Sequence, residues 1–133
     1  DDKPATVSKV IIDEKLRKEI GYEGVVITDD MQMSSIWKYA QYCNTAKEAL
    51  LAGNDILLYS QYTPRATLLT DVYNCILNAI TSGEIAENVI DQKVLRILKL
   101  KITYRLIDEY ILHLQAQSQE CCFVQTSHHQ AIL

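Results

Sequence analysis

The stretch GVVITDDMQM, residues 24–33, decides how the chain is read. Val25, Val26, Ile27 and Thr28 are all β-branched, a composition that fits a pleated, packed surface better than a helix. The run does not alternate with polar residues, so it reads as a strand covered on both faces. It then breaks into two adjacent carboxylates, Asp29 and Asp30. The pattern predicts a strand over 25–28 with both acids just past its tip.

Working outward, Ser8 is an N-cap for a helix over 8–20, and Gly21 is its left-handed stop. Val10 or Ile11, then Ile12, Leu16 and Ile20 keep helical spacing, while Asp13, Glu14, Lys15, Arg17 and Lys18 face water. After the acids an irregular stretch runs to about residue 44. Thr45 and Glu48 form a capping box opening a helix through 51, closed by Gly53. A second apolar strand follows over 56–59. Pro64 then leads a helix to about 82, stopped by Gly83. Asp91 caps a last helix, with Val94, Ile97 and Leu98 as its apolar stripe, extending toward 106.

Helices that alternate with continuous apolar strands imply an α/β fold with a parallel sheet between helical layers. Only two strands are visible, and two parallel strands do not stand as a sheet unaided. The fold is therefore read as incomplete. From residue 107 the character changes: Ile111, Leu112 and Leu114 can extend a helix, but residues 115 onward are Gln-rich and aperiodic, a tail or loosely docked segment.

With 133 residues, 48% of them hydrophobic and 23% charged, the chain is one domain at most and has enough apolar residues for a core. A net charge of -4 with scattered Lys and Arg gives no electrostatic reason to seek nucleic acid or an anionic membrane. No apolar run approaches the roughly 20 residues of a membrane span. The chain opens at Asp1 without Met or a signal-like segment, and reads as a processed end or an excised piece. Localisation is unknown from the sequence. Cys43, Cys75, Cys121 and Cys122 lack metal-ligand spacing, so free thiols in a reducing compartment are expected rather than a site built with His128 and His129.

In parallel α/β folds the active face lies beyond the C-terminal ends of the strands. Asp29 sits there, so a functional role has a structural reason; the competing reading is that either acid caps a turn. Receiver-type signalling domains also pair acids at a strand end, to hold Mg²⁺. They need a third acid after a later strand, and here the second strand ends in Tyr59 and Ser60.

Four blocks settle the comparison: PATVSK (4–9), LRKEIGYEGVVITDDMQM (16–33), EALLAGNDILL (48–58) and SGEIAENVIDQKVLRILKLK (82–101). In this order they resemble the C-terminal part of the barrel domain of glycoside hydrolase family 3, nearest its bacterial β-N-acetylhexosaminidase branch. The resemblance implies an incomplete (β/α)8 TIM-type barrel, residues 1–106 supplying its last two strands and their helices; residues 107–133, largely beyond it, are read from their composition as a partly helical or disordered extension. It implies a bacterial protein of cytoplasm or periplasm. It implies a retaining glycosidase acting on terminal β-N-acetylglucosamine. Asp29 matches the nucleophile. Met33 matches a methionine lining the sugar pocket, although it reads equally well as core filler. Asp30 matches a variably filled position that supports substrate binding. No metal and no cofactor are implied.

The branch's acid/base is a His–Asp dyad after an earlier strand, with a Lys-His sugar-binding segment nearby, and neither occurs here. His113, His128 and His129 lie beyond the resembling region. The chain alone is expected to be inactive, and a truncated relative kept as a structural or interaction piece is the alternative. A carbohydrate substrate is the expected partner, with the rest of the barrel coming from another chain or from self-association. Asn54 and Asp55 precede the second strand and are read as structural. Tyr59, Ser60 and Gln61 end that strand within reach of a substrate. Trp37 and Tyr39, in the loop after Asp29, stack on a sugar or pack beneath the loop.

Overall fold

The structure is a computed structural model that describes residues 2–60 and 67–107, and the backbone of 124–125 and 130–132. A 3-10 turn (Ala5–Val7) leads into a wide π-type helix (Val10–Glu19). Ser8 Oγ accepts a hydrogen bond from Ile11 N, as an N-cap should, and Gly21 has φ +74° at the other end. Strand β1 (Ile27–Asp30) follows, then a short helix α1 (Ser34–Trp37) and α2 (Tyr42–Ala52). Strand β2 (Ile56–Tyr59) leads to α3 (Leu68–Thr81) and α4 (Glu87–Thr103). The entry of Pro64 into α3 falls outside the described residues.

Strands β1 and β2 pair in parallel, as the helix–strand alternation predicts. The sheet is nonetheless mixed. Two short strands, β3 (Val124–Gln125) and β4 (Gln130–Ile132), extend it in the order β1-β2-β4-β3, with β4 antiparallel to β2. Two strands were expected from the sequence, and these two more come from the segment read there as a tail or loosely docked extension. Pairing with β4 satisfies the edge of β2 that β1 leaves open, Leu57 facing residue 132, Leu58 residue 131 and Tyr59 residue 130. The histidines and the Cys121–Cys122 pair lie outside the described residues.

One face of the sheet makes the core. Leu57 and Tyr59 of β2 point into it and meet Ala46, Ala49 and Leu50 of α2, and Val72, Ile76 and Ala79 of α3. The alternate residues, Ile56 and Leu58, are only half-buried, and Ile27 on β1 is 55% exposed. The sheet therefore has a covered face and an open one.

Helix starts differ from the capping signals. Helix α2 begins at Tyr42, and Thr45 lies inside it, donating its hydroxyl to the carbonyls of Gln41 and Tyr42 at 3.3 and 3.0 Å. Glu48 is thus free of the predicted box; it pairs with Lys3 and accepts from Tyr39 Oη. The first turn of α2 is instead held by Cys43, which forms a disulfide with Cys75 of α3, Cα–Cα 5.8 Å. That corrects the expectation of free thiols: the pairing is set by the packing of α2 on α3, which a separation of 32 residues does not reveal. Helix α4 likewise starts four residues before Asp91, at Glu87.

The foot of β2 is tied down by charge. Asp55, its side chain wholly buried, accepts from Arg17 at 2.5 Å, from Arg96 at 2.7 and 2.8 Å, and from Val26 N at 2.8 Å. Asn54 Nδ2 donates to the carbonyls of Thr6 and Ala49, both at 2.8 Å, and its own carbonyl accepts from Lys93 at 2.7 Å. Gly53, the stop of α2, sits at φ +116° against Ile12, so close that a Cβ would lie 3.0 Å from its Cγ2. Asn54 and Asp55 are structural residues, as their position predicted.

Candidate active site

The acids lie within β1 rather than beyond it, because the strand runs two residues later than the β-branched run suggested. Pairing explains the shift. The amides of Asp55 and Ile56 donate to Val26 O, which spends residue 26 on the foot of β2. Above that point β1 carries an extra residue: Ile27 faces Ile56, but Asp30 faces Leu58. This is a β-bulge, a feature that re-aims side chains.

Within the bulge, side chains replace main-chain acceptors. Leu58 N donates to Thr28 Oγ1 at 2.9 Å, and Met31 N returns a bond to Leu58 O at 2.9 Å. Asp30 Oδ1 accepts from Ser60 N at 3.2 Å and Gln32 N at 2.9 Å, and Asp30 Oδ2 accepts from Ser60 Oγ. Thr28 is buried and Asp30 half-buried. Between them Asp29 is exposed, with Oδ1 accepting from Asp30 N at 2.7 Å. Its other oxygen carries no hydrogen bond among the described residues. The two carboxylates are thus separated in role: one is consumed inside the protein, the other is presented outward.

Met33 is 44% exposed and precedes the first turn of α1, on the same loop as Asp29. The methionine in the core is Met31, fully buried beside Ile36. Tyr39 donates to Glu48 at 3.0 Å and so braces the loop. Tyr59 is buried under it with its hydroxyl unpartnered among the described residues; burial holds that phenol well above its ordinary pKa, with Tyr42 and Asp30 adding to the effect. The side chain of Trp37 and the whole of Gln61 lie outside the described residues. The bonding roles of Thr28 and Ser60 were not legible: that the Thr28 hydroxyl replaces a backbone acceptor, and that Ser60 donates to Asp30, shows only once the bulge is known.

A cleft of about 560 Å³ opens at the opposite end, between Arg17, Gly24, Arg96 and Lys99. It lies at the foot of β1, away from Asp29, and its arginines are already committed to Asp55. Among the described residues no three His, Cys, Asp or Glu gather to hold a metal, and no helix is long and apolar enough to cross a membrane.

A parallel strand pair with an outward carboxylate at its C-terminal end is the arrangement used by barrel enzymes. Residues 1–100 match the Glycosyl hydrolase family 3 N terminal domain, and the chain belongs to that family. A curated β-hexosaminidase of Actinobacillus succinogenes is 36% identical over 58 residues, 44% of this chain and 17% of the relative. That of Alkalilimnicola ehrlichii is 41% identical over 58 residues, again 44% and 17%. The solved family 3 β-N-acetylglucosaminidase of a Paenibacillus species superposes with a TM-score of 0.70 at 32% identity, over 96% of this chain and 22% of that one. The Thermotoga maritima β-N-acetylglucosaminidase gives 0.68 at 27%, over 74% and 21%. The chain thus spans about a sixth to a fifth of the length of these relatives.

Proposed function

We propose that residues 1–106 are the last two strands and helices of an incomplete (β/α)8 barrel, from a retaining glycosidase of terminal β-N-acetylglucosamine. Asp29 is its nucleophile. An outward oxygen of Asp29 attacks the anomeric carbon, the bond to the leaving oxygen breaks, and the sugar is held as an ester on Asp29. An acid outside this chain protonates the leaving oxygen, then as base takes a proton from the water that releases the sugar. Met33 lines the pocket in this reading. The relatives named β-hexosaminidase and β-N-acetylglucosaminidase support the substrate class.

The observation that carries the reading is the exposed Asp29 carboxylate at the C-terminal end of a parallel strand, one oxygen held and the other without a hydrogen bond among the described residues. The open sheet face supports the barrel: Ile27 is left exposed and Ile56 and Leu58 half-buried, as apolar residues awaiting further cover would be. Those strands come from another chain or from self-association. One observation favours a non-catalytic relative instead. Strand β4 occupies the edge of β2 to which a further barrel strand would pair.

The test uses 2,4-dinitrophenyl N-acetyl-β-glucosaminide, whose leaving group departs without a proton. A nucleophile lacking its acid/base should release dinitrophenolate in a burst of up to one equivalent, abolished in Asp29→Ala, and should leave a natural disaccharide uncut. Equal slow rates in both proteins would leave the non-catalytic reading.

A further inference from the structure

Asp29 stands between two side chains that do the work of a backbone. In a regular parallel pair the amides of β2 find carbonyls on β1. The bulge carries those carbonyls out of register, and a buried amide without an acceptor is strongly disfavoured. Thr28 Oγ1 takes the amide of Leu58, and Asp30 Oδ1 takes the amide of Ser60, two residues on. Asp30 closes the second bridge with its other oxygen on the Ser60 hydroxyl and spans its own loop through Gln32 N. Bonds to an ionised acceptor are the strong class. All of these hold the main chain on either side of residue 29, including the Asp30 amide that grips Asp29 Oδ1 at 2.7 Å.

We infer that Thr28 and Asp30, the latter through Ser60, are positioning residues: paired side-chain bridges to β2 fix the bulge and aim the Asp29 carboxylate. This rests on the reading of Asp29 as the nucleophile. It assigns Asp30 to orienting that nucleophile instead of contacting sugar, and it gives the sequence TDD a physical meaning as acceptor, nucleophile, acceptor. Threonine at 28 and aspartate at 30 are short enough to accept directly from the neighbouring segment's backbone.

The dinitrophenolate burst is measured by stopped flow on the whole chain and on Asp30→Ala, Asp30→Asn, Thr28→Val and Thr28→Ser. Misplacing a reacting atom by about 1 Å can slow a reaction by about a hundredfold. Asp30→Ala and Thr28→Val should lose about that much in burst rate, with the half-saturating sugar concentration unchanged. Asp30→Asn and Thr28→Ser each keep an acceptor and should recover most of the rate. Amide exchange at Leu58 and Ser60 is followed alongside, and each amide should lose protection only when its own bridge is cut. An Asp30→Ala burst as fast as that of the unsubstituted chain would overturn the positioning role. Fast exchange of both amides in the unsubstituted chain would overturn the bridges themselves. Slow exchange with no burst would refute the nucleophile reading, and the positioning role with it.

Discussion

Arg17, on the helix before β1, and Asp55, at the foot of β2, are joined by a 2.5 Å ion pair whose carboxylate is wholly shielded from water. Arg96 reaches the same carboxylate from α4, so one side chain fastens three elements 38 and 41 residues apart in sequence. Buried pairs of this kind matter most when half of one is removed, because the surviving charge is left unpaired.

Asp55→Asn should therefore lower the unfolding free energy by roughly 3–5 kcal/mol. Urea denaturation checks this. A midpoint close to that of the unsubstituted chain would mean that water reaches the two guanidinium groups and that the clamp is not what holds the foot of the sheet.

Lys93 gives a pH dependence with a definite sign. It is 4% exposed, and burial lowers its pKa from 10.5 to about 8; Asp55 partly opposes this, while Arg96 and Arg17 add to it. Below pH 8 the lysine is protonated in both the folded and unfolded states. Between 8 and 10.5 the folded chain has released a proton that the unfolded chain still binds, so stability rises with pH. Above 10 the buried phenol of Tyr59 works the other way, because only the unfolded chain loses that proton. Unfolding free energy should increase by about 2 kcal/mol from pH 7.5 to 9.5. Lys93→Met should flatten the slope, and a decrease over that window in the unsubstituted chain would contradict the assignment.

The disulfide closes a loop with a sequence separation of 32 residues between α2 and α3. Loop-closure entropy puts its contribution at about 3–4 kcal/mol. Unfolding with and without dithiothreitol should differ by that amount, and Cys43→Ser should abolish the difference. Identical curves would show the two thiols to be unlinked in solution.

The two parallel strands and the helix stops were legible because they depend on local composition. Val25 to Thr28 and Ile56 to Leu58 are β-branched or aliphatic runs, and Gly21, Gly53 and Gly83 take the positive φ that a helix stop requires. What depends on pairing between distant segments was not. Strand β1 slid by two residues because Val26 O is taken by two amides of β2, and Thr45 failed as a cap because α2 starts three residues earlier. The two acids of the site were visible as a pair, but their division of labour was not. It follows from one extra residue in β1, and no periodicity encodes that.

The nucleophile assignment is tested most directly by trapping. The chain is incubated with a fluorinated N-acetylglucosaminyl derivative that carries a good leaving group and forms a slowly hydrolysed ester, then digested and mapped by mass spectrometry. One sugar per chain is expected, on Asp29, and none in Asp29→Ala. A label on any other residue, Asp30 included, would contradict the assignment.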